Sequence, residues 1–194
     1  RLALSLSRYS CDRLGLAWQV KFCPLDYYFL SGHRKGVGAI WSTDRPSPLR
    51  LLTGHRSDVT CVAWHPASTL ALTGSDDRSV RLWDMRCGSA VRVMPTPSPP
   101  GCLALSRDGF SVAAGTQEGS VCLWDLTAGR HAASLVGHSS EVHALSFSER
   151  DRALASGGAD STVRLWDLQR LSLSPSSSLS ISPSSSLSLS LSSS

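Results

Sequence analysis

The string Arg78-Ser-Val-Arg-Leu-Trp83-Asp84 is written again as Ser161-Thr-Val-Arg-Leu-Trp166-Asp167. Looser copies are Gly119-Ser-Val-Cys-Leu-Trp124-Asp125 and Val37-Gly-Ala-Ile-Trp41-Ser42. The four tryptophans Trp41, Trp83, Trp124 and Trp166 stand at intervals of 42, 41 and 42. A fixed period of this size constrains the fold more than any local pattern. Each copy must form the same unit and bury its apolar faces against its neighbours.

Within each copy, short runs rich in β-branched and aromatic residues alternate with turn formers, which predicts strands and no long helix. The first copy predicts strands over Leu16–Phe22, Tyr27–Ser31, Val37–Trp41 and Leu49–Thr53. The second predicts Asp58–Trp64, Thr69–Thr73, Ser79–Trp83 and Ser89–Val93. The third predicts Cys102–Leu105, Phe110–Ala114 and Ser120–Trp124, and the fourth Glu141–Phe147, Ala153–Ser156 and Thr162–Trp166. Apolar residues on both alternations, as in Val59-Thr-Cys-Val-Ala-Trp64, predict sheets covered on both faces. The third copy opens on Met94-Pro-Thr-Pro-Ser-Pro-Pro-Gly101. Its prolines fix φ and remove amide donors, so this segment is expected to be a stiff surface loop that does not pair as a strand.

The organisation that follows is a divergent segment over 1–15, four copies at about 16–53, 54–94, 95–136 and 137–170, and a tail over 171–194. Ser makes up most of the tail from position 172 onward, leaving too few large apolar groups to offset the entropy of ordering it. The net charge of +4 comes from 17 Arg and 2 Lys with no basic block, so nucleic acid is not an expected partner. Six cysteines lack any C-x-x-C pair. Cys61 and Cys102, at one and the same offset before Trp83 and Trp124, read as strand core, and free thiols suit a reducing compartment. No stretch approaches a membrane span, and residues 1–8 are too short and polar for a signal peptide.

Gly54-His55 precedes Trp83 by the same interval at which Gly137-His138 precedes Trp166. Gly-His, a period near 42 and a closing Trp-Asp resemble the WD40 repeat, in which each copy is a four-stranded propeller blade. The resemblance implies a hydrogen-bonded line in each well-formed blade: His55, Thr73, Asp77 and Trp83 in the second, His138, Ser156, Asp160 and Trp166 in the fourth. Hydroxyl, imidazole and carboxylate are also the elements of nucleophilic hydrolysis. A catalytic set is needed once, whereas this one returns with the repeat, so the reading is structural and the chain is not expected to be an enzyme. No cofactor, metal or small-molecule substrate is expected.

Two copies depart from the pattern. The first has Ser31 and Trp41 but Lys35 in the Asp place and no His; the third has Trp124 with Ala114, Glu118 and no His. Both blades are expected to be looser. His33 and His131 read as loop or strand-edge surface and His65 as a turn residue. His143, in an inner strand, has no Cys partner at zinc-ligand spacing.

Tyr27-Tyr-Phe-Leu-Ser-Gly32, Trp41-Ser-Thr-Asp44, Pro48-Leu-Arg50, Gly54-His55, Asp58-Val59, Cys61, His65-Pro66 and Thr73-Gly-Ser75 through Val80-Arg-Leu-Trp-Asp84 are similar to the WD40 region of the TFIID subunit 5 family, including its coactivator-complex paralogue. That resemblance covers about 16–168 and implies a nuclear, non-enzymatic scaffold holding other protein subunits, histone-fold transcription factors among them, with no membrane role. The alternative is a generic WD40 adaptor for ubiquitin ligase, signalling or trafficking complexes. The chain opens without Met, and four copies fall short of the seven or so that close such propellers, so an incomplete ring is expected. The loops on one rim carry Arg34, Lys35, Arg56, Asp76, Arg78, Pro97, Glu118, Ser139 and Glu141, and these form the expected partner-binding surface.

Overall fold

The computed structural model describes residues 14–25 and 27–169. The expectations for residues 1–13 and for the Ser-rich tail lie outside them. The fold is all-β, with four antiparallel sheets and no α-helix among the described residues. The first sheet runs β1 (Ala17–Phe22), β2 (Tyr28–His33), β3 (Val37–Ser42), β4 (Arg50–Thr53), and a 3-10 turn, Arg34–Gly36, joins β2 to β3. The second runs β5 (Val59–Trp64), β6 (Leu70–Ser75), β7 (Ser79–Asp84), β8 (Ala90–Pro95). The third runs β9 (Pro100–Leu105), β10 (Ser111–Thr116), β11 (Ser120–Asp125), β12 (Arg130–Val136), and the fourth β13 (Val142–Phe147), β14 (Ala153–Gly158), β15 (Val163–Asp167). Two compact units divide the chain, one through Pro100 and the other from Gly101.

The residue after each tryptophan explains how the third strand hands over to the fourth. Asp84 accepts the Arg86 amide at 2.8 Å, Asp125 the Thr127 amide at 2.8 Å, and Asp167 the Gln169 amide at 3.0 Å. In the first copy Ser42 does the same for the Asp44 amide at 3.2 Å. A short side chain that hydrogen-bonds the backbone two residues on starts a turn locally, and so the chain reverses at the same place after β3, β7 and β11.

The residue nine before each tryptophan is glycine, and packing between sheets shows why. A Cβ on Gly32 would stand 2.8 Å from Val59 Cγ1, and one on Gly115 would stand 2.7 Å from Val142 Cγ1. The first strand of the next sheet presses its β-branched residue into the hole left by glycine. The cores of the two units follow. One joins Leu30, Ile40 and Leu52 to Val59, Val62, Ala71 and Trp83. The other joins Ala113, Val121, Leu123 and Leu135 to Val142, Leu154 and Trp166. Cys61 and Cys102 are buried in these sheets, and burial pushes the Cys102 thiol up to about 12, so it is a core group and not a nucleophile.

The proline-rich segment corrects the expectation of an unpaired loop over 94–101. β8 continues through Met94 and Pro95, which face Val80 and Ser79, and β9 starts at Pro100. β8 is the outer strand of its sheet, where a missing amide on the far side costs no ladder bond, and the first position of a strand also tolerates proline. Met94, Thr96 and Ser98 are buried while Pro97 is exposed.

Candidate functional site

The residues of the second copy meet in one line. Trp83 Nε1 donates to Thr73 Oγ1 at 2.7 Å, Thr73 Oγ1 lies 2.7 Å from His55 Nε2, and His55 Nδ1 lies 2.9 Å from Asp77 Oδ2. The carboxylate only accepts, so Nδ1 carries the proton and Nε2 accepts from the Thr73 hydroxyl. Asp77 also takes the Arg56 amide at 2.9 Å and the Ser79 hydroxyl at 2.6 Å. The fourth copy repeats the arrangement: Trp166 Nε1 to Ser156 Oγ at 2.8 Å, Ser156 Oγ to His138 Nε2 at 2.8 Å, and His138 Nδ1 to Asp160 Oδ2 at 2.9 Å. Asp160 takes the Ser139 amide at 3.1 Å.

Each line therefore ties the loop after Gly-His to the hairpin between the second and third strands. The hydroxyls of Thr73 and Ser156 are buried and engaged on both sides, by an indole proton and an imidazole nitrogen. Neither is presented to a substrate.

The first copy holds a histidine after all, which corrects two expectations. His33 is buried at the end of β2, not at the surface, and its Nε2 lies 2.7 Å from Ser31 Oγ. Trp41 Nε1 donates to the same hydroxyl at 2.7 Å, and His33 Nδ1 lies 3.1 Å from the Gly15 carbonyl. A carbonyl replaces the carboxylate, and the proton order along the line is unchanged. Positions i and i+2 of a strand share a face, so Ser31-Gly-His33 was the legible signal. His33→Ala is expected to cost about 1–3 kcal/mol in a urea melt, as for any buried hydroxyl and indole that lose their partner.

In the third copy, Ala114 stands where the hydroxyl should be, and the Trp124 and His131 rings meet in a T-shaped contact at 5.8 Å between centroids. Thr96, which holds the place of the repeat His relative to Trp124, is buried with its Oγ1 unpaired. His65 is a turn residue, accepting the Ala67 amide at 3.1 Å. His143 is exposed and 3.8 Å from Glu141 Oε1, and no cluster that could hold a metal is found among the described residues.

Burial lowers the pKa of His55, with Asp77 opposing it in part, and burial lowers His33, with the Gly15 carbonyl opposing. Burial would raise Asp77, but hydrogen bonds from Ser79, the Arg56 amide and His55 bring it below the usual carboxylate range. The unfolded chain then binds more protons, so stability rises with pH. The histidine contribution is complete above the ordinary value of about 6.5 and is lost as pH falls through the folded values; the Asp77 contribution follows below about 3.9. Thermal melts are expected to show a loss of stability as pH falls from 7 to 5, the range in which the histidines titrate; stability that rises as pH falls over that range would contradict this.

The loops of the first unit carry six of the expected partner-binding residues: Arg34, Lys35, Arg56, Asp76, Arg78 and Pro97. A Cβ on Gly36 would stand 2.9 Å from the His55 carbonyl carbon, which is how closely the Arg34–Gly36 turn underlies the loop that carries Arg56. The Lys35 amide donates to Asp58 Oδ1 at 3.0 Å, and Arg34 Nε stands 3.7 Å from Asp58 Oδ2. The Asp76 amide donates to the Asp58 carbonyl at 3.0 Å, and the Thr96 amide to the Arg78 carbonyl at 2.9 Å, which places exposed Pro97 next along the chain. Asp58 is not among the rim residues expected from the sequence, although it stands at the same offset before Trp83 as Glu141 does before Trp166. Burial, Asp58 and Asp77 together raise Asp76, so the surface is mixed in charge and not simply basic. Glu118 and Glu141 belong to the second unit, where Gly119 underlies the His138 carbonyl and the Ala159 amide donates to the Glu141 carbonyl at 2.8 Å.

Similarity to known proteins follows the repeat. The family model "WD domain, G-beta repeat" matches residues 46–84, 88–125 and 129–167, each match closing on the Asp after a repeat tryptophan. Transcription initiation factor TFIID subunit 5 of Caenorhabditis elegans is 31% identical over 166 residues, covering 80% of this chain and 24% of that protein. Pre-mRNA-processing factor 19 homolog 2 of Arabidopsis thaliana is 33% identical over 66% of this chain and 34% of its own length. Autophagy-related protein 16 of the same plant is 27% identical over 69% and 26%. The chain spans about a quarter to a third of these relatives. Its repeats, its four sheets and the family match together make this chain a member of the WD40-repeat family of protein-interaction scaffolds.

Proposed function

We propose that the chain is a scaffold of a nuclear transcription complex and that the loops of its first unit dock an acidic or mixed-charge protein segment. The observation that carries this reading is the set Arg34, Lys35, Arg56 and Arg78, all exposed on loops whose backbones are tied down by Asp58 and Asp77. Loops already fixed lose little entropy on binding, and a planar guanidinium pairs with a carboxylate through two hydrogen bonds. Pro97 adds a stiff contact beside them. Similarity to TFIID subunit 5 over 80% of the chain supports transcription as the setting. Glu118 and Glu141 would offer the second unit's loops acceptors for the basic side chains of a mixed-charge segment.

Charge reversal at Arg34, Arg56 and Arg78 is expected to abolish co-purification of transcription-initiation subunits, read by mass spectrometry, without shifting the unfolding transition. Retention of those subunits would remove the rim from consideration. Recovery of splicing or autophagy proteins in their place would favour an adaptor role outside transcription.

A further inference from the structure

The outer strands β4 and β8 belong to neighbouring sheets of the first unit, and the two sheets meet beside them at two points. At one, Arg50 of β4 lies on the turn before β8: a Cβ on Gly88 would stand 3.1 Å from its Cγ, and its Nη1 donates to the Cys87 carbonyl at 2.7 Å. At the other, the chain leaving β4 passes against Arg81, where a Cβ on Gly54 would stand 2.9 Å from Arg81 Nη1. Between these points Leu52 of β4 is fully buried, while Val91 and Val93 of β8 are 55% and 49% exposed. Val93 is the cross-strand partner of Arg81, so the two share a face of the sheet. The result is a short apolar groove with a guanidinium at each end.

Arg81 is placed but not paired. Its Cζ stands 6.0 Å from the Trp83 ring centroid, and its Nε is buried without a hydrogen-bond partner. Among the described residues no carboxylate forms an ion pair with Arg81 or Arg50. Packing on Gly54 and Trp83 explains where the Arg81 side chain lies, and leaves its donors open. The fourth copy repeats the packing, with Arg164 Nη1 3.0 Å from a Cβ on Gly137. There, however, Ala133 pairs with Leu123 as Arg50 pairs with Ile40, so the second cation is missing.

We propose that the groove between β4 and β8 binds an extended, acidic and aliphatic segment of a partner protein. One carboxylate of the segment pairs with Arg81, another with Arg50, and aliphatic side chains between them cover Val91 and Val93. Charge complementarity selects this occupant, because two cations without an internal counter-ion flank an apolar strip. A guanidinium takes a carboxylate through two parallel hydrogen bonds, and Arg81, already held by Gly54 and Trp83, gives up little freedom in doing so. The strand from Gly88 to Val93 covers about 17 Å, so the two carboxylates stand about four to six residues apart, on the same face as the aliphatic residues. The groove is formed by strands and is a different surface from the loops that carry Arg34, Arg56 and Arg78.

The test follows the fluorescence anisotropy of a dye-labelled heptapeptide, Glu-Ser-Val-Ser-Val-Ser-Glu, titrated with the full chain at low salt. The unmodified chain is expected to bind it, and Arg81→Gln, Arg50→Glu and Val93→Asp are each expected to weaken binding about ten-fold or more. Arg50 and Val93 are exposed, so their variants give the readout if Arg81→Gln unfolds. The same peptide with Lys in place of Glu, or with Ser in place of Val, is expected to bind about ten-fold more weakly or less, since the groove needs both the charge and the aliphatic contact. Failure of the unmodified chain to bind the Glu and Val peptide overturns the proposal. So does equal binding of either altered peptide, or binding by the folded variants that matches the unmodified chain.

Discussion

Gly119→Ala is expected to destabilise the second unit by about 2–5 kcal/mol, combining roughly 1–2 for a left-handed backbone with roughly 1–3 for overpacking. Gly119 has φ +84°, and a Cβ there would collide with the His138 carbonyl oxygen and stand 2.8 Å from that of Ser140. Both obstacles are backbone, so neither can rotate away. Gly36→Ala in the first unit, at φ +75° and against the His55 carbonyl, is expected to behave alike. The control is Gly157→Ala, which meets only an ordinary contact at 3.9 Å and should change stability by no more than about 0.5 kcal/mol. Denaturant melts of the three variants check this. A loss at Gly157 as large as at Gly119 would refute the packing argument.

The second large effect belongs to the polar lines. His55→Ala or Asp77→Ala is expected to cost about 1–3 kcal/mol, because each leaves buried partners unpaired. His55 joins Thr73 to Asp77, and Asp77 holds the Arg56 amide and the Ser79 hydroxyl. The third copy supplies the contrast. Thr96→Val removes a buried hydroxyl that has no partner and should be neutral or stabilising. Glu118→Ala, at an exposed position, should stay within about 0.5 kcal/mol. Equal losses in the second and third copies would show that the lines carry no special stability.

The tryptophan period and the Gly-His pairs made the four sheets and the lines of the second and fourth copies legible, because those features repeat at fixed offsets. His33 was not legible by offset. It reaches Ser31 from the place where the other copies carry Ser75, Thr116 and Gly158. Only strand alternation relates it to its partner. Met94-Pro95 pairs despite the missing donor because β8 is an outer strand, where an absent donor is tolerated, and a strand's place in its sheet is not written in the local sequence. Asp58 escaped because its role is to fix the Arg34–Gly36 turn, a contact between adjacent copies that no pattern within one copy encodes.

The claim on which the rest depends is that the polar lines hold the loops that carry the binding residues. Amide hydrogen exchange reads it at Arg56 and Ser139, whose amides donate to Asp77 and Asp160. In Asp77→Ala, the Arg56 amide is expected to exchange about ten-fold faster or more, as the loss of about 1.4 kcal/mol of local protection implies, with Ser139 and the strands β5–β7 unchanged. An Arg56 amide as protected in Asp77→Ala as in the unmodified chain would contradict the account.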